Sequence, residues 1–219
     1  MAVTEKQVIE MVTRIVQERL NEIENLKIPV GVSNRHVHVS KGDLEILYGK
    51  GYPLTNFKDL SQPGQYAAKE TVTVKGPKGQ FEKVRILGPV RKESQVEISL
   101  TDSFRLGVKA PIKESGQLEQ TPGIELIGPA GSVSLSHGTI VALRHIHMTS
   151  QDADRMGVKD KDIVEVETAG TRRGTMGNVL VRVSDGFSLE LHVDIDEANA
   201  CALKNGDFVF LRKNRRMDL

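Results

Sequence analysis

One short phrase occurs twice in this chain, as GVSNRHVHVS at residues 31–40 and as VALRHIHMTS at residues 141–150. Four of the six histidines sit in these two copies. The copies are in register: 145 minus 36 and 149 minus 40 both give 109, so Arg35, His36, His38, Ser40 and Asp43 recur as Arg144, His145, His147, Thr149 and Asp152. A period of that length splits 219 residues into two similar units, each of a size that can hold its own small core. The fold has to accept the same element twice.

Outside the repeat the texture is β. Short runs rich in Val and Ile, such as ETVTVKG, KVRILG, DIVEVET, NVLVRVS and SLELHVDI, are separated by turn signals at Gly76-Pro77, Gly88-Pro89, Pro122-Gly123 and Asp185-Gly186. The expectation is a mostly β protein of two small β-barrel domains related by the internal repeat, with short capping helices. Two such helices are expected at Ser40 with Asp43 and at Thr149 with Asp152, each pair at the spacing of a capping box. A longer helix is expected over residues 4–23, where Val8, Met11, Val12, Ile15, Val16, Leu20 and Ile23 recur at helical spacing before Pro29. Periodicity leaves its apolar stripe two destinations: the chain's own domain, or another protein.

Charge and cysteine content exclude several functions. Thirty basic and 29 acidic residues give a net charge of +1, which provides no broad field for a nucleic-acid backbone. The basic stretch LRKNRR at residues 211–216 reads as a solvated terminus. Cys201 stands alone, so no intramolecular disulfide forms, and a reducing, cytoplasmic setting is expected. In EANACALKNG it reads as a small apolar side chain rather than a nucleophile. No apolar run reaches the roughly 20 residues of a membrane span.

The histidines supply the chemistry. On a strand, alternate side chains share a face, so His36 with His38, and His145 with His147, each form a two-imidazole grip suited to a metal ion. Laying Glu97 of SQVEISLTD over His192 of LELHVDIDE aligns Val96, Ile98 and Leu100 with Leu191, Val193 and Ile195, which gives each half a third donor. Three donors leave tetrahedral zinc one open position, the arrangement of a catalytic site, and cobalt or iron suits imidazole almost equally. No phosphate-cradling glycine loop is present, so phosphate recognition falls to arginine, with Arg85 and Arg91 in KVRILGPVRKES as candidates. A two-metal hydrolase and a non-catalytic metal-binding module remain open at this level.

Several longer blocks resemble one family. IPVGVSNRHVHVS, QPGQYAAKETVTVKGPKGQ, RILGPVRKESQVEIS, TPGIELIGP, VALRHIHMTSQDA and LELHVDIDEANA are similar to the signature segments of the PduL-type phosphate acyltransferases, the phosphate propanoyltransferases (phosphotransacylases) of bacterial microcompartments, over residues 27–212. The resemblance implies reversible transfer of a propanoyl or acetyl group between coenzyme A and inorganic phosphate. It implies two zinc ions, one on His36, His38 and Glu97 and the other on His145, His147 and His192, with Arg91 positioning phosphate. It implies coenzyme A contacts at Ser33, Lys58, Arg85, Leu87, Phe104, His192 and Asn199. It also implies an exchanged strand, so that residues 24–34 plus 143–213 form one barrel and residues 35–142 the other. The helix over residues 1–23 would then dock on microcompartment shell or core proteins, as in propanediol degradation. The preferred acyl group and any homo-oligomer are left open.

Overall fold

The computed structural model describes residues 4–212. Val3 and earlier residues, and residues 213–216 of the basic stretch, lie outside the described residues. The fold is mostly β, as its alternating segments dictate, and it contains two sheets. One sheet is a closed six-stranded barrel in the order Lys27–Ser33, Glu190–Asp194, His145–Met148, Thr175–Val183, Ile163–Thr168, Phe208–Arg212. Its interior is filled by Ile28, Val30, Ile146, Met148, Val166, Val179, Val181, Leu191, Val193, Val209 and Leu211.

The strand that closes this barrel comes from far away in sequence. Lys27–Ser33 runs parallel to Glu190–Asp194, pairing Val30 with Leu191 and Gly31 with His192, and antiparallel to Phe208–Arg212, pairing Ile28 with Val209. It immediately precedes the first H-x-H, yet it belongs to the barrel that carries the second. Closure leaves no unpaired edge in that sheet.

The other sheet has nine strands and curls around its core as a half-barrel. Its order is Ile112–Lys113, Thr139–Ala142, Gln95–Glu97, His36–His38, Gln80–Gly88, Tyr66–Lys75, Ile124–Ile127, Ser132–Leu135, with Asn56–Asp59 paired to Tyr66–Lys75. Val37, Val39, Leu44, Leu47, Val72, Ile86, Val96, Leu106 and Leu126 form the core beneath it. Leu47 and Ile86 are fully buried, so truncating either to Ala costs about 2–5 kcal/mol.

Each H-x-H strand runs into a capped helix. Thr149 caps Ser150–Met156 with a complete capping box, its hydroxyl accepting from Asp152 N at 3.1 Å while the Asp152 carboxylate accepts from Thr149 N at 3.3 Å. At Lys41–Tyr48 only half of that box forms: Ser40 Oγ accepts from Asp43 N at 3.1 Å, but Ser40 N donates to Ser94 Oγ at 2.8 Å. Two further helices follow the third-donor strands, Leu100–Leu106 capped by Ser99 and Ile195–Cys201 capped by Asp194.

Those later helices also anchor the arginine of each repeat. Arg35 binds Asp102 with two parallel bonds, Nε to Oδ2 at 2.9 Å and Nη2 to Oδ1 at 2.8 Å. Arg144 reaches Glu197 Oε1 at 3.1 Å and Gly177 O at 2.8 Å. Asp102 and Glu197 each stand five residues beyond the third donor and at the third helical position, so the duplication extends further than the histidines.

The amino-terminal helix spans Glu5–Asn25. Val8, Ile9, Met11, Val12, Ile15, Val16 and Leu20 are all 48–58% exposed, so no described residue of either sheet covers the stripe. A 21-residue helix with an uncovered apolar face has little tertiary packing behind it.

Candidate metal centre and cavity

In both sheets the middle residue of H-x-H, Val37 or Ile146, faces a hydrophobic core, and strand alternation turns both histidines the other way. They meet in one cavity of about 650 Å³ between the sheets, lined by His36, His38, Glu97, His145, His147 and His192 together with Arg91. His36 and Glu97 are Cα partners on neighbouring antiparallel strands, and so are His145 and His192.

Within each group the donor atoms of the three side chains lie within 4.8 Å of one another. His36 Nδ1 sits 2.8 Å from Asn34 O, and His145 Nδ1 sits 2.8 Å from Leu143 O, so in each ring the nitrogen bonded to a carbonyl is Nδ1 and Nε2 is left free to ligate. His36 Nε2 lies 3.4 Å from Glu97 Oε2, and His38 Nε2 lies 3.9 Å from Glu97 Oε1. Several buried nitrogens have no hydrogen-bond partner: His38 Nδ1, both nitrogens of His147, and His192 Nε2. An orphaned buried nitrogen is costly, and because a neutral imidazole carries one N–H and one lone pair, one nitrogen of each ring is available to a cation.

The ionisation states suit that use. Burial, reinforced by neighbouring positive charge, holds His38 at about 3, His145 at about 4 and His147 at about 2, so all three are neutral ligands at neutral pH. Burial opposes ionisation of Glu97, but His36 and the Ser115 hydroxyl override it and keep the carboxyl well below its ordinary range. Burial also disfavours charge on His36, and Glu97 reverses this, raising it above 6.5.

Arg91 enters beside the first group. Its backbone N donates to Val39 O at 2.9 Å, which ties it to the H-x-H segment, and Nη1 lies 3.3 Å from Ser115 Oγ. Of the expected coenzyme A contacts, Ser33, Lys58, Arg85, Leu87 and His192 line the cavity. Phe104 and Asn199 do not. Phe104 is 80% exposed on Leu100–Leu106, whose buried face is Asp102, Ser103 and Leu106, and Asn199 is exposed on Ile195–Cys201.

Other cavity residues were not singled out by sequence. Ser115 donates to Glu97 Oε1 at 3.0 Å and accepts from Gln95 Nε2 at 2.8 Å, but it lies in the turn KESGQ, which carries no motif. Arg182, the Cα partner of His147, lines the cavity with its Nε 3.5 Å from Glu114 Oε1. Phe187 stacks on His147 with centroids 4.2 Å apart. Glu190 was detectable in principle, because the alternation that pairs His36 with His38 also pairs it with His192.

With this geometry in place, comparison with known proteins is specific. A family model described as phosphate propanoyltransferase matches residues 29–204. The chain is 57% identical over 207 residues to a phosphate propanoyltransferase of Thermotoga maritima, covering 92% of this chain and 99% of that one. It is 52% identical over 197 residues to a protein of the same name from Clostridioides difficile, covering 90% and 91%. A third such protein, from Listeria monocytogenes, is 47% identical over 198 residues, covering 90% and 93%.

Proposed function

The chain belongs to the phosphate propanoyltransferase family, a family of acyltransferases, and we propose that it moves a short acyl group, propanoyl or acetyl, reversibly between coenzyme A and inorganic phosphate. The observation that carries this reading is the meeting of two three-donor groups and Arg91 in one cavity.

The residues divide the work by position. Arg91 binds the attacking phosphate; its guanidinium suits two-point contact with a tetrahedral oxyanion and offsets the repulsion as an anionic oxygen nears the carbonyl. Lys58 and Arg85 hold the phosphates of coenzyme A at another part of the same wall, with Ser33 and Leu87 beside them. Arg85 is preset for this, since its Nη1 is fixed by Ala68 O at 2.9 Å and Lys69 O at 2.8 Å. His36, His38 and Glu97 would hold one zinc ion, and His145, His147 and His192 a second. Such ions supply Lewis-acid polarisation of the thioester carbonyl and a soft partner for the departing thiolate. Gln95 and Ser115 fix the Glu97 carboxylate.

The assay is direct. Purified, zinc-loaded protein mixed with propanoyl-CoA or acetyl-CoA should release thiol only when phosphate is added, with acyl phosphate as the second product. Thiol release at the same rate without phosphate would make it a hydrolase.

Three finer assignments accompany this. Residues 24–34 plus 143–213 are taken as one domain and 35–142 as the other, a division supported by the pairing of Lys27–Ser33 with Glu190–Asp194. The amino-terminal helix is taken to dock on shell or core proteins of a bacterial microcompartment, supported by its uncovered stripe. Phe104 and Asn199, both exposed and outside the cavity lining, are taken as further coenzyme A contacts on the strength of the resemblance.

A further inference from the structure

The strands beside the two H-x-H segments match rung by rung. In the half-barrel His36 is opposite Glu97 and His38 is opposite Gln95; in the barrel His145 is opposite His192 and His147 is opposite Glu190. Gln95 and Glu190 therefore occupy the same place, one rung from the third donor and on its face. Gln95 is a neutral brace on an anionic donor: its amide donates to Glu97 Oε1 and to Ser115 Oγ, and its carbonyl accepts from Gly116 N at 2.9 Å. In the barrel the roles are exchanged. The donor, His192, is an imidazole, and the brace carries the carboxylate. Each half has one carboxylate across those two rungs.

Glu190 is built into its position. Its Oε2 lies 2.9 Å from His192 Nε2, beside that nitrogen rather than in line with its N–H, and Nε2 is buried with no hydrogen-bond partner. Ser61 Oγ, from the half-barrel side, donates to the same oxygen. On the exchanged strand, a Cβ on Gly31 would come within 2.7 Å of Glu190 Cδ. Gly31 has no left-handed backbone to explain it, and the missing side chain leaves the carboxylate its room.

Three histidines provide no negative charge for a dication, and Arg182 on the same wall, paired with Glu114 at 3.5 Å, provides none either. Burying a dication uncompensated is costly. We infer that Glu190 is the counter-charge of the three-histidine group: a carboxylate beside His192 that retains the ion His145, His147 and His192 hold. This rests on the two-metal reading above.

The test is metal affinity rather than turnover. Glu190→Gln keeps the shape of the side chain and the contact with Ser61 but removes the charge. Metal-free protein is loaded with Zn²⁺ or Co²⁺ and titrated against a chromophoric chelator. Wild type should hold two ions; the variant should hold one with wild-type affinity and the other about 10–100-fold more weakly, with the metal-free Tm unchanged. Gly31→Ala, which displaces the carboxylate while keeping its charge, should weaken the same ion and serves if the first variant fails to fold. Two ions held by Glu190→Gln as tightly as by wild type would overturn the inference alone. A wild type that holds fewer than two would remove the metal reading along with it.

Discussion

His145 and His192 face each other as Cα partners on adjacent antiparallel strands, their rings 6° from parallel and 5.0 Å apart between centroids. In the half-barrel the same rung joins His36 to Glu97. The two three-donor groups are therefore one construction used twice, with a carboxylate exchanged for an imidazole at one corner. The difference matters chemically, because an anionic ligand makes a bound ion a weaker Lewis acid than three neutral ligands do.

Removing one corner of the barrel group should remove its ion. His192→Ala is expected to lower the metal content by about one ion per chain, measured on dialysed protein. Acyl phosphate formation should fall at least about a thousandfold, on the scale of the several kcal/mol a metal ion contributes to a transition state. Full activity after complete metal removal from wild type would sink the two-metal scheme.

Arg91 should separate phosphate binding from metal binding. Its guanidinium touches Ser115 and lines the cavity, but it is not a donor to either group. Arg91→Ala is therefore expected to lower turnover by about 10²–10³-fold, the scale of losing one preorganised donor to developing charge, while both ions remain. If zinc content fell in step with activity, Arg91 would be holding the ligands rather than the phosphate.

The duplicated H-x-H, the strand texture and the helix caps were legible because each depends on local spacing. The third donors were legible because Glu97 and His192 lie in similarly patterned strands. Exchange of Lys27–Ser33 was not readable from periodicity: alternation tells which face of Ile28 and Val30 is buried, but nothing about which strand pairs with them. One sheet's full closure and the other's stopping as a half-barrel depend on long-range pairing of the same kind. Ser115 escaped because a serine in a turn has no pattern, and its role appears only when the fold sets it against Glu97 and Arg91.

Metal-free protein should be most stable near pH 6.5. His38, His145 and His147 are held at about 3, 4 and 2 by burial first and neighbouring charge second. Below 6.5 the unfolded chain takes up a proton at each while the folded chain does not, so stability falls as pH drops. With three such groups acting in the same direction the decline continues until the highest of these values is reached. His36 acts in the opposite window. Its folded value is raised by Glu97 against burial, so its contribution is complete below 6.5 and is lost as pH rises through that raised value. Calorimetry in the presence of a chelator should show a Tm maximum flanked by decline on both sides; a flat profile from pH 4.5 to 6.5 would mean that these imidazoles are already protonated in the folded state.

Deleting residues 1–23 should leave the enzyme intact. The exposed stripe from Val8 to Leu20 packs on neither sheet, whereas Leu26, which the deletion spares, packs against the barrel core and accepts from Leu211 N at 2.9 Å. Turnover and metal content should match wild type, and Tm should shift by no more than a degree or two, because a helix without tertiary contacts adds little to global stability. What should be lost is association with a partner that offers an apolar groove, read by co-sedimentation with microcompartment shells. A truncate that precipitates or melts many degrees lower would place the stripe against the catalytic domains and end the docking assignment.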